Sequence, residues 1–387
     1  MKIIQAIFKW FLIIFLLLIV GLYATGYGYL VKAVRTIYLT GHKTAYLEDY
    51  KKFDNREIAK STQAQPWAIH KNYNTVPETD SLAKTNKDLQ TVAFLIIKND
   101  SIWFEKYWDG FGKNTPSNSF SMAKSITTAL LGKAIQEGKI KSLDQPVGDF
   151  FPEYFKGLAS KMTVGDLASM GSGLNWDESY YSPFSVMTRV YFDTDLKSIM
   201  LRQKVTEQPG KEHKYLSGNT QLLAMVIEKA VGQTLSSYLA EKFWQPMGAE
   251  NPALWQLDTE NGIEKAFCCI ASNARDFARF GKLYKNKGNF NGTQILDTAF
   301  VEKSIVPRFP EYKHYGYGFW LSDYLGKKIF YMRGHLGQFV IVIPEDDVII
   351  VRLGHLKGIE KPTDEHSEDF YVYVKEAYQM LNHDRKN

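Results

Sequence analysis

Apolar side chains at the start of the chain follow no period. From Trp10 to Val31 there is no charge, with Lys2 and Lys9 before the run. As one helix that stretch would span about 33 Å, one bilayer core. The most apolar part, Trp10 to Leu22, also fits a signal-peptide core, and Ala24-Thr25-Gly26 offers small residues for cleavage. Residues 1–31 are therefore expected to be a transmembrane anchor or an export signal. Tyr23, Tyr27 and Tyr29 suit a membrane interface, while Lys32 and Arg35 leave the charge bias too even to set topology. Either way the body is expected outside the cytoplasm, anchored to the inner membrane on the bacterial periplasmic side or exported after cleavage.

Residues 32–88 read as a connecting arm that packs only in part, polar and mixed from Thr40 to Asp88 and broken by Pro66 and Pro77. Period-two and continuous apolar runs begin at Leu89. Thr91–Ile97 and Ser101–Tyr107 are predicted strands joined at Lys98-Asn99-Asp100. Behind them Ile126, Leu130, Leu131, Ala134 and Ile135 recur at helical spacing, predicting a helix with one buried face, begun near Ser121 and stopped by Gly138. Residues 143–306 are mostly helical in pattern, with helices at Asn219–Ala230 and Asn273–Lys285. A second hairpin, Gln338–Ile343 and Val348–Leu353, turns at Pro344-Glu345-Asp346-Asp347, and Glu368–Leu381 closes the chain as a helix. Strands at both ends of residues 89–387 predict an α/β (α+β) fold: a mainly antiparallel sheet flanked by helices, with an inserted helical domain over roughly 143–306.

Composition narrows the functional classes. With 387 residues, 45% of them hydrophobic, a large core can form. The formal charge of +5 is spread out and no nucleic-acid motif accompanies it, so nucleic acid is not an expected partner. The two cysteines, Cys268 and Cys269, are adjacent, so no structural bridge is expected, and none lies near the N-terminus to carry a lipid. C-x-x-C and H-E-x-x-H are absent from the sequence, so neither a metal nor another cofactor is expected. No pattern sets an oligomeric state.

Two S-x-x-K strings occur. Ser81-Leu82-Ala83-Lys84 sits in a polar, aperiodic surface segment and is given no role. Ser121-Met122-Ala123-Lys124 opens the apolar helix, where residues three apart are neighbours, so the Lys124 amine can reach the Ser121 hydroxyl. The positive end of the helix dipole and burial both lower a lysine pKa there, and a neutral amine can take the proton of a serine nucleophile. Of two Tyr-x-Ser strings, Tyr180-Tyr181-Ser182 lies in a loop, whereas Tyr215-Leu216-Ser217 follows Pro209-Gly210 and leads into a helix. Tyr215 and Ser217 could thus face one cleft. Of two His-x-Gly strings, His314-Tyr315-Gly316 lies in a Tyr/Gly-rich stretch, and His335-Leu336-Gly337 stands before the strand Gln338–Ile343. There Gly337 would admit substrate to the backbone, and the N–H groups of Gln338 and Ser121 could form an oxyanion hole. Trp176, Tyr180 and Tyr181 suggest an aromatic rim. The α/β-hydrolase elbow G-x-S-x-G is absent.

The order Ser-x-x-Lys, Tyr-x-Ser, His-x-Gly resembles the superfamily of class C β-lactamases, DD-peptidases and family VIII carboxylesterases. The segments 120–125, 172–178, 217–223, 274–281 and 334–338 are most similar to its 6-aminohexanoate-dimer hydrolase branch. The resemblance covers roughly Leu89 to the C-terminus. It implies a β-lactamase/transpeptidase-like fold, Ser121 as nucleophile, Lys124 and Tyr215 as proton relay, a site-lining strand after His335, and Tyr180 against the substrate. Ser217 stands where β-lactamases have Asn, and His335 where Lys opens Lys-Thr-Gly, so efficient β-lactam hydrolysis is not implied. The expected activity is serine hydrolysis of an ester, amide or peptide bond in a small molecule through an acyl-enzyme. The rivals are a peptidoglycan DD-peptidase and a membrane-tethered sensor or scaffold of the same fold without turnover.

Overall fold

The computed structural model describes residues 1–384. Its centre is a seven-stranded sheet in the order Trp320–Ser322, Ile329–Gly334, Gln338–Ile343, Val348–Gly354, Thr91–Lys98, Ser101–Tyr107, Ala68–Ile69. The two predicted hairpins meet in the middle, where Val348–Gly354 pairs antiparallel with Thr91–Lys98, Val351 opposite Leu95. Only the short edge pairing of Ala68–Ile69 with Ser101–Ile102 is parallel.

Side chains alternate across a strand, and here both faces are covered, so the central strands read as unbroken apolar runs. Leu95, Ile97, Val340 and Val342 face one core, shared with the helices Met122–Gln136 and Ala274–Lys285. Phe94, Ile96, Phe339 and Ile341 face another, under the helices Asp80–Asp88 and Glu368–Asp384. Gly281 lets Ala274–Lys285 lie close to the sheet, because a Cβ there would come within 3.0–3.2 Å of Val340, Val342 and Ile349. Met122–Gln136 is buried all round rather than on one face, since Ser217–Val231 covers its other side. Its end falls where expected: Gly138 adopts φ +69° and its N–H bonds the Ile135 carbonyl.

Five expectations are corrected. The arm is part of the body: Leu47, Ile58 and Trp67 are buried, and Asn55–Ile58 pairs with Ala253–Gln256 in a second, four-stranded sheet with Ile270–Ser272 and Ser117–Asn118. Strands this short and half polar carry too little alternation to be read. The segment around Ser81 is a helix, Asp80–Asp88, capped by Thr79 Oγ1 accepting the Leu82 N–H at 3.1 Å, with Leu82 and Asn86 buried. Lys84 nonetheless stays in solvent, paired with Asp88. Residues 143–306 are not one helical body, because they contribute two strands to the smaller sheet and the helix Ala274–Lys285 to the main one.

The apolar N-terminus is not one helix from Trp10 to Val31. It runs from Lys2 to Ala24, about 35 Å, with no residue buried, and breaks where Gly26 takes φ +77°. A second helix, Tyr29–Thr36, then packs on Val186–Phe192 of the body. Finally, Cys268 and Cys269 are joined to each other, with Cys269 at φ +79°.

Candidate active site

Ser121 stands at the N-cap of Met122–Gln136, presented by a turn in which Phe120 takes the left-handed φ of +44°. A buried network holds that unfavourable turn. The Phe120 N–H donates to Asn118 Oδ1 at 2.9 Å, and Asn118 Nδ2 donates to Asp49 Oδ1 at 2.9 Å. Asp49 also accepts from the Tyr191 hydroxyl at 2.6 Å and Gln256 Nε2 at 3.1 Å. Burial pushes the Asp49 carboxyl above its ordinary pKa, against these donors. On the sheet side, Gly334 lets the strand Ile329–Gly334 close on the same turn, since a Cβ there would sit 2.3 Å from the Ser119 carbonyl oxygen.

Lys124, 1% exposed, donates to Ser121 Oγ at 2.9 Å and to the Phe267 carbonyl at 2.7 Å. Burial lowers its pKa to about 8, partly opposed by the negative charge of Glu178. A neutral Lys124 can reverse the first contact and accept the serine proton. Tyr215 is the third head: it lines the same cavity as Ser121, and its ring centroid lies 5.1 Å from Lys124 Nζ. Burial pushes the phenol up, partly opposed by Ser121 and reinforced by Glu178, so Tyr215 keeps its proton at neutral pH.

Glu178 organises the floor of the site. Its Oε2 accepts from Trp176 Nε1 at 2.8 Å and from the Ser217 N–H at 2.7 Å. Its Oε1 accepts from the Tyr180 hydroxyl at 2.5 Å and Ser217 Oγ at 2.6 Å. The signal available in the sequence was Trp176, Glu178 and Tyr180 at alternate positions of one loop.

The expected site residues divide accordingly. Tyr180 leaves its outer ring in solvent, turns its hydroxyl onto Glu178 and stacks on His335 at 5.7 Å. Ser217 is in the cleft but its hydroxyl is engaged by Glu178. His335 lines the cleft, edge-on to Phe120 at 5.6 Å, with burial lowering its pKa to about 4 and its buried Nε2 without a hydrogen-bond partner. Trp176 does not form the rim: its indole is buried flat against Gly218, where a Cβ would come within 2.5 Å of the ring. Gly337 is required for a different reason than substrate approach, because its φ is +76° and a Cβ would meet Arg352 and Asp369. The Gln338 side chain points away, Nε2 donating to the Gly354 carbonyl at 2.7 Å, and its backbone stands opposite Gly334 in the sheet. His314 meets the His366 ring at 5.2 Å instead.

Two cavities of about 360 Å³ each converge on Ser121, sharing Tyr180, Tyr181 and His335. One is mainly apolar and runs to the helix Tyr29–Thr36. The other is walled by aromatic rings, Trp320 and Phe339 among them, and also carries Tyr215 and the charged side chains Arg333, Lys357 and Glu360, with Glu360 paired to both cations. Among the described residues no group of acidic, histidine or cysteine side chains could hold a metal ion.

Residues 79–368 match the Beta-lactamase family. The 6-aminohexanoate-dimer hydrolase of Paenarthrobacter ureafaciens is 25% identical over 60% of this chain, and the match spans 63% of that relative's length. The teichoic acid D-alanine hydrolase of Staphylococcus aureus is 25% identical over 82% of this chain and 83% of its own. A solved Bacillus anthracis structure, named provisionally as a 6-aminohexanoate-dimer hydrolase, superposes with a TM-score of 0.75 at 21% identity, covering 88% of this chain and 94% of that one. With the matched span covering most of the chain, and the same sheet-and-helix architecture recurring in solved structures, this protein belongs to the beta-lactamase family.

Proposed function

We propose that the protein is a serine hydrolase that cleaves an ester or linear amide bond through an acyl-enzyme on Ser121. The observation that carries the reading is the cluster in which Lys124 Nζ bonds Ser121 Oγ at 2.9 Å and the Tyr215 ring lies beside that amine in the same cavity. In acylation neutral Lys124 takes the Ser121 proton as Oγ bonds the substrate carbonyl carbon. The bond to the leaving oxygen or nitrogen then breaks, Tyr215 protonates that atom, and Lys124 returns its proton to Tyr215. Water reverses the sequence, releasing the acid and restoring the Ser121 hydroxyl. The N–H groups of Ser121 and Gln338 are the proposed donors to the developing oxyanion.

The linear-amide and D-alanine chemistry in the relatives' names supports this bond class. Ser217, held by Glu178, and neutral His335 are poorly suited to a β-lactam, and the free Nε2 of His335 offers a polar contact to the substrate. We read the helix Lys2–Ala24 as an anchor, because its end is fastened to the wall of the site: the Tyr27 ring lies 6.0 Å from Phe184, and the Tyr29 hydroxyl donates to the Pro183 carbonyl at 3.0 Å.

The test is a panel of nitrophenyl esters, linear amides, D-Ala-D-Ala peptides and nitrocefin. Multiple turnover of esters or linear amides is expected, with nitrocefin poor. Ser121→Ala is expected to lose about 10⁶-fold in rate. Retained turnover in that variant, or a single stoichiometric acylation without turnover in the wild type, would contradict the assignment.

A further inference from the structure

We propose that the apolar cavity beside Ser121 receives the aliphatic acyl chain of an amphiphile that enters from a lipid bilayer. This rests on reading Ser121 as the nucleophile. The walls come from two places: Leu30, Ala33, Val34 and Ile37 from the second N-terminal helix and the residue after it, and Phe184 and Met187 from the facing segment. A volume of about 360 Å³ lies within the range of small-molecule sites.

The second cavity identifies which half of the substrate goes where. Tyr215, the proton donor to the leaving group, lines that cavity with Arg333, Lys357 and Glu360 and is not among the residues lining the first. A general acid has to face the atom it protonates. The leaving group therefore departs into the charged side, toward Arg333 and Lys357, and the acyl half occupies the mainly apolar cavity beside the helix Tyr29–Thr36.

Entry from a bilayer follows from the mouth. The helix Lys2–Ala24, long and apolar enough to cross a membrane, ends only a short turn before the cavity wall. Around that mouth lie large side chains in solvent: Tyr181 is 76% exposed and Phe184 71%, with Val34 and Tyr38 also exposed along the wall and Tyr27 against Phe184. Apolar surface left open in this way marks a site of contact, and aromatic residues at the end of a membrane-length helix belong at the lipid–water boundary. A chain dissolved in the bilayer would pass from lipid into the cavity without crossing bulk water.

The experiment uses the full-length protein in phosphatidylcholine vesicles, with nitrophenyl esters from acetyl to decanoyl. The expected kcat/KM rises about fourfold per methylene over the first several carbons. Chain-length dependence could also come from partition into the vesicle, so two cavity-filling variants, Ala33→Trp and Met187→Trp, are compared through the ratio of decanoyl to acetyl kcat/KM. A subsite predicts that the ratio falls roughly tenfold or more in whichever variants keep the wild-type circular dichroism. A flat or falling wild-type series, or a ratio unchanged in the variants, overturns the subsite while leaving the hydrolase intact. No ester turnover at all would instead remove the underlying assignment.

Discussion

In the proposed mechanism Lys124 takes the serine proton, and the fold prepares it for that by denying it water. Its amine has two partners, Ser121 Oγ and the Phe267 carbonyl, and Glu178 is the charge that opposes its neutralisation. With the pKa lowered to about 8, the active neutral form accumulates as pH rises through that value. The pH profile of kcat/KM is expected to climb through about 8, whereas His335, neutral above about 4, adds no limb near neutrality. Glu178→Gln removes the opposing charge, so the limb is expected to move to lower pH, alongside a loss of rate from the four donors it leaves misplaced. A limb that stays near 8 in this variant would show that Glu178 acts only as a brace. The Ser121–Lys124 pairing was legible because helical spacing alone fixes it. Glu178 was not, since its worth lies in donors from residues 176, 180 and 217, which only the folded loop brings together.

The serine turn works as an element because it is clamped from two sides. Asn118 and Asp49 hold the left-handed Phe120 from behind, and the strand Ile329–Gly334 closes on the Ser119 carbonyl in front. Gly334→Ala would force that strand and the turn apart. It is expected to cost about 1–3 kcal/mol of stability, read as a lowered melting temperature, and to slow acylation by displacing Ser121 from the sheet edge. An unchanged melting temperature and acylation rate would mean that the approach relaxes freely. The central strands and long helices were readable from their apolar periods. The short strands at Asn55–Ile58 and Ala253–Gln256 and the role of Asp49 were not, because two-to-four-residue pairings and a single buried carboxylate gain their meaning from partners far along the chain.

Across the whole molecule, the fold brings Ser121, Tyr215 and His335 from three separate stretches to the place where a buried helix start meets the edge of a sheet. The order of motifs made that convergence foreseeable. The division of the cleft did not show in the sequence: its apolar half is built by residues 29–37, which read as the tail of a membrane segment and the start of a linker. Their packing on Val186–Phe192 ties the reactive centre to the end of the N-terminal helix.

The most direct measurement is the mass of the wild-type protein quenched in acid during turnover of a nitrophenyl ester, followed by peptide mapping. One acyl group on the peptide containing Ser121, absent from Ser121→Ala, is the expected result. An acyl group on any other residue, or one that persists when Ser121 is replaced, would contradict the assignment of this serine as the nucleophile.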